Sequence, residues 1–186
     1  GYTDASGYCV AGASGSIQVP ESDRQYYSIW NNDAKGTGHA RSMIDSEQAW
    51  SAANNNVGQW MMMDIGVVVP VIGVKIQKRK DGSPAQCVTS FKVQTSKTTT
   101  DWSDVDGGAV FIGSHRDDDS DYVRNVLFSA PVEARSVKIV VQAYEHHISM
   151  RADVLVAVPP SSPPSLPPRL LRDCWAGVSS CPTGRT

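Results

Sequence analysis

Glutamate is scarce in this chain: four residues, against fifteen aspartates. A two-carboxylate glycosidase site would have to use aspartate pairs, and no pair stands out. The sequence has no G-x-S-x-G, no H-E-x-x-H, no phosphate-binding loop and no dinucleotide fingerprint, so an enzyme is not expected. It lacks a basic excess: 17 Lys and Arg stand against 19 Asp and Glu, which argues against a nucleic-acid partner. The longest uncharged apolar run, residues 65–74, is interrupted by Gly66, Pro70 and Gly73 and is about half of what a helical membrane span needs. C-x-x-C is missing, which leaves a structural zinc site without support. There is no Asn-x-Ser/Thr sequon. No basic segment followed by an apolar run opens the chain, so a signal peptide is not expected in it; a secreted protein would be in mature or trimmed form. An apolar stripe at period 3.6 is nowhere sustained, which removes the main signal for long helices.

What is present divides the 186 residues in two. Six of the eleven prolines lie between 159 and 168, as three Pro-Pro pairs at a four-residue period with serine between. Such a run favours extended polyproline II and offers little surface to bury. Residues 1–158 are therefore expected to form the domain and 159–186 a linker or stalk with a small cysteine-bearing end. The Ser-Pro-Pro spacing suits an O-glycosylated segment of a secreted or wall protein, or an inert spacer. Four cysteines, Cys9, Cys87, Cys174 and Cys181, allow three full pairings and point to a disulfide staple in an oxidising, extracellular compartment.

From residue 59 onward the pattern is that of strands. Val74 and Ile76 alternate with Lys75 and Gln77; Phe91, Val93 and Thr95 interleave with Ser90, Lys92 and Gln94. Strands are expected over 59–65, 67–77, 88–95, 109–113, 123–128, 136–142 and 148–158. Residues 1–16 are read as surface chain, 22–40 as a long ordered loop, 43–50 as a single helical turn and 54–58 as a turn. Loops are expected at 78–85, 98–108 and 115–121, the last an exposed acidic one. Short strands between turns predict an all-β sandwich or jelly-roll-like barrel.

Several segments then carry a family resemblance, in order and at spacing: Met43-Ile44-Asp45-Ser46-Glu47-Gln48-Ala49-Trp50, Gln59-Trp60-Met61-Met62-Met63-Asp64-Ile65-Gly66, Val88-Thr89-Ser90-Phe91-Lys92-Val93, Asp101-Trp102, Pro131 to Ile139 and His147-Ile148-Ser149-Met150-Arg151. Residues 17–156 resemble the discoidin family, the coagulation factor 5/8 type C domain, with most likeness to the N-terminal domain of slime-mould discoidin lectins. The resemblance implies a β-sandwich of the galactose-binding type and a non-catalytic binding module for galactose-type sugars, phospholipid headgroups, collagen or other proteins. It also implies a structural Ca²⁺ beside residues 42–49, closed by an acidic residue of the last strand, where Asp45 and Asp153 stand. An ion pair of Asp45 with Arg41 or Arg151 is the alternative. Cys87 stands where the family often has Trp, and the family's end-to-end disulfide would here have to link Cys9 with Cys174 or Cys181; a local Cys174–Cys181 loop competes with it.

In such a fold the loops at one end do the binding. A sugar site needs an aromatic face for the pyranose ring and fixed polar groups for its hydroxyls. The loops supply Trp30, Asn31, Asn54, Arg79, Asp81, Tyr144 and His147 as candidates, with Arg79 and Asp81 matching the family's third-loop Arg and Asp. Trp50 and Trp60 sit in core-type motifs. The first expectation is an extracellular lectin for galactose or N-acetylgalactosamine-type glycans, gaining avidity as an oligomer or in a larger assembly. The second is a structural module gripping a protein partner in an extracellular fibre or coat. A lipid-binding module is disfavoured, because the loops carry Asn, Lys and Asp rather than apolar spikes.

Overall fold

The computed structural model describes residues 14–81 and 84–158. The cysteines at 9, 174 and 181 and the proline run lie outside the described residues. Nine strands account for the architecture: β1 Ser14–Ile17, β2 Arg24–Tyr26, β3 Trp50–Ser51, β4 Trp60–Gln77, β5 Cys87–Ser96, β6 Ser103–Asp104, β7 Phe111–Ile112, β8 Arg124–Glu145 and β9 Ser149–Ala157. All pairings are antiparallel, in the order β1-β9-β4-β8-β5-β6, with β2 on β4, β3 on β9 and β7 on β5. The expected all-β sandwich is what forms, and no α-helix occurs among the described residues.

Two long strands make the sandwich. The first half of β8 pairs with the second half of β4, as Val74 with Val126; its second half pairs with β5 and with the first half of β4, as Met61 with Ile139. Register shifts between Asp64 and Val69 and between Val71 and Gly73 let β4 bend from one layer into the other. Gly66 takes φ +85 inside the first shift, a conformation that would strain a larger residue, and its N–H is held by Asp64 Oδ1 at 2.9 Å. The core follows the two-residue period: Met61 and Met63, Phe91 and Val93, and Val137, Ile139 and Val141 are all fully buried between the layers.

Six sequence expectations change. The helical turn over 43–50 is not formed; these residues are bends that run into β3, because Trp50 pairs with Met150. The strands expected at 59–65 and 67–77 are one, and those at 123–128 and 136–142 are one, since Gly66 and Pro131 sit at points where the ladder bends without ending. The 22–40 loop contains β2, and the 98–108 break contains β6. The surface chain of 1–16 gives way to β1 at Ser14.

β9 organises one end of the sandwich. Residues alternate along it, so His147, just before it, and Ser149, Arg151 and Asp153 project to one side while Met150, Ala152 and Val154 enter the core. That polar side is buried as deeply as the apolar one: Ser149, Arg151 and Asp153 are all covered by loops. A buried polar group must be hydrogen-bonded, and these three draw in the loops that cover them.

Candidate functional site

The loops before β5 and the turn before β9 meet the 28–40 and 50–56 segments at one rim. There Trp30, His39, Ser51, Arg79, Gln86 and His147 line an open hollow of about 270 Å³. Each wall residue is placed by a local device. Trp30 opens a 3-10 turn, Trp30–Asn32, in which Asn31 and Asn32 both take left-handed φ (58° and 52°), a region asparagine tolerates. The indole stays 48% exposed and stands edge-on to the His147 ring, with centroids 5.4 Å apart.

Each of the two imidazoles has one ring nitrogen committed to a fixed partner. His147 Nε2 lies 2.9 Å from the Ala52 carbonyl, so Nε2 carries a proton and donates to it, and Nδ1 has no partner among the described residues. His39 Nδ1 lies 2.8 Å from Asp33 Oδ2, which also accepts the His39 backbone N–H at 2.8 Å; Nε2 has no partner among the described residues. These bonds, with a third from Asn31 Nδ2, hold the Asp33 carboxyl below the usual carboxylate range. Gly38 makes this possible: it has φ +44, and a Cβ there would collide with Asp33 Oδ2.

The floor is a chain of polar contacts. Ser51 Oγ and Ser149 Oγ are 2.7 Å apart, Ser149 Oγ donates to Gln86 Oε1 at 3.3 Å, and Arg79 Nη1 donates to the same oxygen at 3.3 Å. Arg79 is held by that one bond; its Nε is buried without a partner among the described residues. Lys80 beside it is paired with Glu47 at 3.2 Å, whereas Arg79 faces no carboxylate at ion-pair distance among the described residues. Its backbone is fixed from below: Arg151, fully buried, donates to the Lys78 carbonyl from Nε and Nη2 (3.0 and 2.6 Å), to the Ser46 carbonyl at 2.9 Å and to the Ser120 carbonyl at 2.7 Å. One guanidinium thus ties three loops to β9.

Of the residues expected from sequence, Trp30, Arg79 and His147 come together here. Asn31, Asn54, Asp81 and Tyr144 are not on the wall. Asn31 bonds Asp33, and the Tyr144 hydroxyl donates to the Asn55 carbonyl at 2.8 Å, shaping the turn that carries Asn54. Asp81 and Asn54 are exposed beside the rim. His39, Ser51 and Gln86 complete the wall without having been expected. For His39 the signal was a histidine straight after a glycine in a turn-rich polar loop; Ser51 and Gln86 carry none.

Asp45 and Asp153 do not converge on a metal. Asp45 Oδ1 accepts from Gln77 Nε2 at 3.0 Å, while Asp153 Oδ1 is 2.5 Å from Arg24 Nη2. No group of three acidic, histidine or cysteine side chains with metal-binding geometry occurs among the described residues. A guanidinium where the ion would sit means these residues do not fit a bound Ca²⁺. Burial pushes the Asp153 carboxyl up to about 6, against the pull of Arg24. Burial, with Glu145 adding to it, pushes the Cys87 thiol up to about 11, so this cysteine is a neutral packed side chain.

Comparison with known proteins gives a consistent result. The F5/8 type C domain family matches residues 25–154. Discoidin-1 of Dictyostelium discoideum is 30% identical over 129 residues, covering 69% of this chain and 47% of that protein. Lactadherin of Mus musculus is 27% identical over 135 residues, covering 69% of this chain and 28% of lactadherin. The chain therefore spans about half the length of the one and less than a third of the other. Among solved structures, recombinant discoidin II of Dictyostelium discoideum superposes with a TM-score of 0.58 at 21% identity, over 79% of this chain and 61% of that one.

Proposed function

Because the chain belongs to the F5/8 type C domain family, whose members are non-catalytic binding modules, we propose that the rim hollow is a carbohydrate site and that the domain acts as a lectin for galactose or N-acetylgalactosamine-type glycans outside the cell. The observation that carries this reading is Arg79: a guanidinium with no carboxylate partner among the described residues, on the same wall as a half-exposed indole. The indole offers an apolar face to the C–H side of a pyranose ring. Arg79 offers charge-assisted donors, and the unpartnered ring nitrogens of His39 and His147 offer further hydrogen-bonding positions, to hydroxyls in the ring plane. At about 270 Å³, the hollow suits one sugar ring rather than an extended ligand.

Affinity at a single shallow site is low, so several copies in one assembly would supply the avidity needed for adhesion. Ser14 pairs with Ala157 at the end of β9 remote from His147. Ala157, the last residue of β9, is thus at the end of the strand away from the hollow.

The test is retention of the full chain on galactose-agarose with elution by free galactose, repeated for Trp30→Ala and Arg79→Ala. Each substitution is expected to weaken binding about tenfold or more, the worth of a hydrogen bond to a charged group or of a stacked ring. Sugar binding that survives both changes would overturn the assignment. Absence of retention combined with a stable protein complex of defined stoichiometry would favour the structural module instead.

A further inference from the structure

Arg24, on β2, is fully buried, and every partner of its guanidinium is an oxygen. Nε donates to the Val19 carbonyl at 2.9 Å. Nη1 faces the Ser42 carbonyl (2.9 Å), the Ser42 hydroxyl (3.1 Å) and the Ala152 carbonyl (2.7 Å), and Nη2 faces Asp153 Oδ1 at 2.5 Å. A second carboxylate, Glu21, lies 4.0 Å from Nε, its other oxygen accepting the N–H groups of Ser42 and Met43. Three carbonyls, a hydroxyl and one carboxylate from separate segments of the chain contact the guanidinium, with the Glu21 carboxylate just outside them, in a hard, all-oxygen surround. Carbonyl, hydroxyl and carboxylate oxygens are the donor types that Ca²⁺ takes from proteins.

The shell also sits where the resemblance places the ion, between the 42–49 segment and the acidic residue of the last strand. We infer that the Arg24 guanidinium is the resident cation of this domain, standing in for a structural Ca²⁺ and making the rim independent of metal. The covalent cation cannot be removed by a chelator, and its planar donors reach all of these segments at once. Ser42 and Asp153 flank the same loop that Arg151 grips through Ser46, so the two arginines together replace what a bound ion would hold.

The inference is tested by thermal unfolding of the full chain and of Arg24→Ala, each in EDTA, in millimolar Ca²⁺ and in millimolar Mg²⁺. The unaltered protein is expected to show the same Tm in all three. Arg24→Ala is expected to melt lower in EDTA and to gain about 5 °C or more in Ca²⁺, because the vacated shell then takes the ion. Should Arg24→Ala fail to fold in EDTA, the expected result is recovery of near-ultraviolet circular dichroism on refolding with Ca²⁺ and not with Mg²⁺. A Ca²⁺-dependent rise in Tm of the unaltered chain would overturn the inference. So would an Arg24→Ala protein, folded or unfolded, that Ca²⁺ leaves unchanged.

Discussion

The domain carries two hollows of similar size, one at each end of β5, whose ten residues separate them by about 30 Å. The far one, about 330 Å³, is lined by Thr95, Ser96, Lys97, Thr98, Asp101, Ser103, Val132 and Glu133. Its hydroxyls are turned on themselves: Ser96 Oγ accepts the Thr98 N–H, Thr98 Oγ1 accepts the Thr100 N–H, and the hydroxyls contact one another at 3.1 and 3.2 Å. No aromatic residue lines it. At the near end the bonds run the other way: the polar side of β9 and the turns of the 28–40 segment satisfy the framework and leave Arg79, two imidazole nitrogens and an indole with capacity to spare. Volume does not distinguish a binding site from a crevice here; the difference lies in which polar groups the fold has already used.

The supports differ in the same way. The near rim hangs on guanidinium groups buried under loops. The far end has a partly exposed bridge, Arg135 to Asp64 at 2.8 and 2.9 Å, and exposed Val67 and Val68 beside the β4 bend. The largest expected effect is therefore Arg151→Met. It strands the carbonyls of Ser46, Lys78 and Ser120 under cover, lowers stability by about 3 kcal/mol or more in denaturant unfolding, and abolishes sugar retention.

Next in size are Trp30→Ala and Arg79→Ala, which should weaken retention about tenfold or more while leaving denaturant midpoints nearly unchanged. Lys97→Ala and Asp101→Ala at the far hollow should alter neither. Gly38→Ala should come between binding and stability effects, costing about 1 kcal/mol through its left-handed φ and weakening retention by displacing the Asp33 carboxylate from His39. Equal loss of binding from a far-hollow substitution would break the contrast between the two ends.

Acid sharpens it. Asp33 and Asp64 both have carboxyls held below the ordinary value, the first chiefly by the His39 N–H, the second chiefly by Arg135. A group depressed in the folded state stabilises it above its unfolded value and loses that contribution as pH falls through the folded one. Both contributions are thus intact at about pH 5 and fade below the ordinary aspartate value of 3.8. Denaturant midpoints should therefore hold down to about pH 5 and decline once the pH drops below the ordinary aspartate value. Smaller still is Arg135→Ala, the deletion of a partly exposed bridge, expected to shift the denaturant midpoint only slightly, with retention untouched.

Much of this was legible in the residues. Two-residue alternation announced β5 and the end of β4, because one face of each packs on the core. β2 and β3 were invisible, since strands of two or three residues are defined by their partners, Met61 to Met63 and Met150, rather than by any pattern of their own. Pro131 and Gly66 looked like ends because proline and glycine usually are; here the ladder bends through them. Trp30 stood out as an indole in a polar loop and Arg79 as a charge in a short one. Ser51 and Gln86 could not be found, because only the fold brings them to the same floor. The i, i+2 spacing of Arg151 and Asp153 put them on one face, yet the partner of Asp153 is Arg24, 129 residues away and beyond any local reading.

The most direct test of the rim site is a galactose titration of the ¹⁵N-labelled chain, following the indole N–H signals of its five tryptophans. Trp30 and Trp102 report on the two ends of the sandwich. The predicted result is a saturable shift of the Trp30 signal with Trp102 unmoved; a Trp30 signal that ignores the sugar, or a shift at Trp102 in its place, would contradict a sugar site at the near rim.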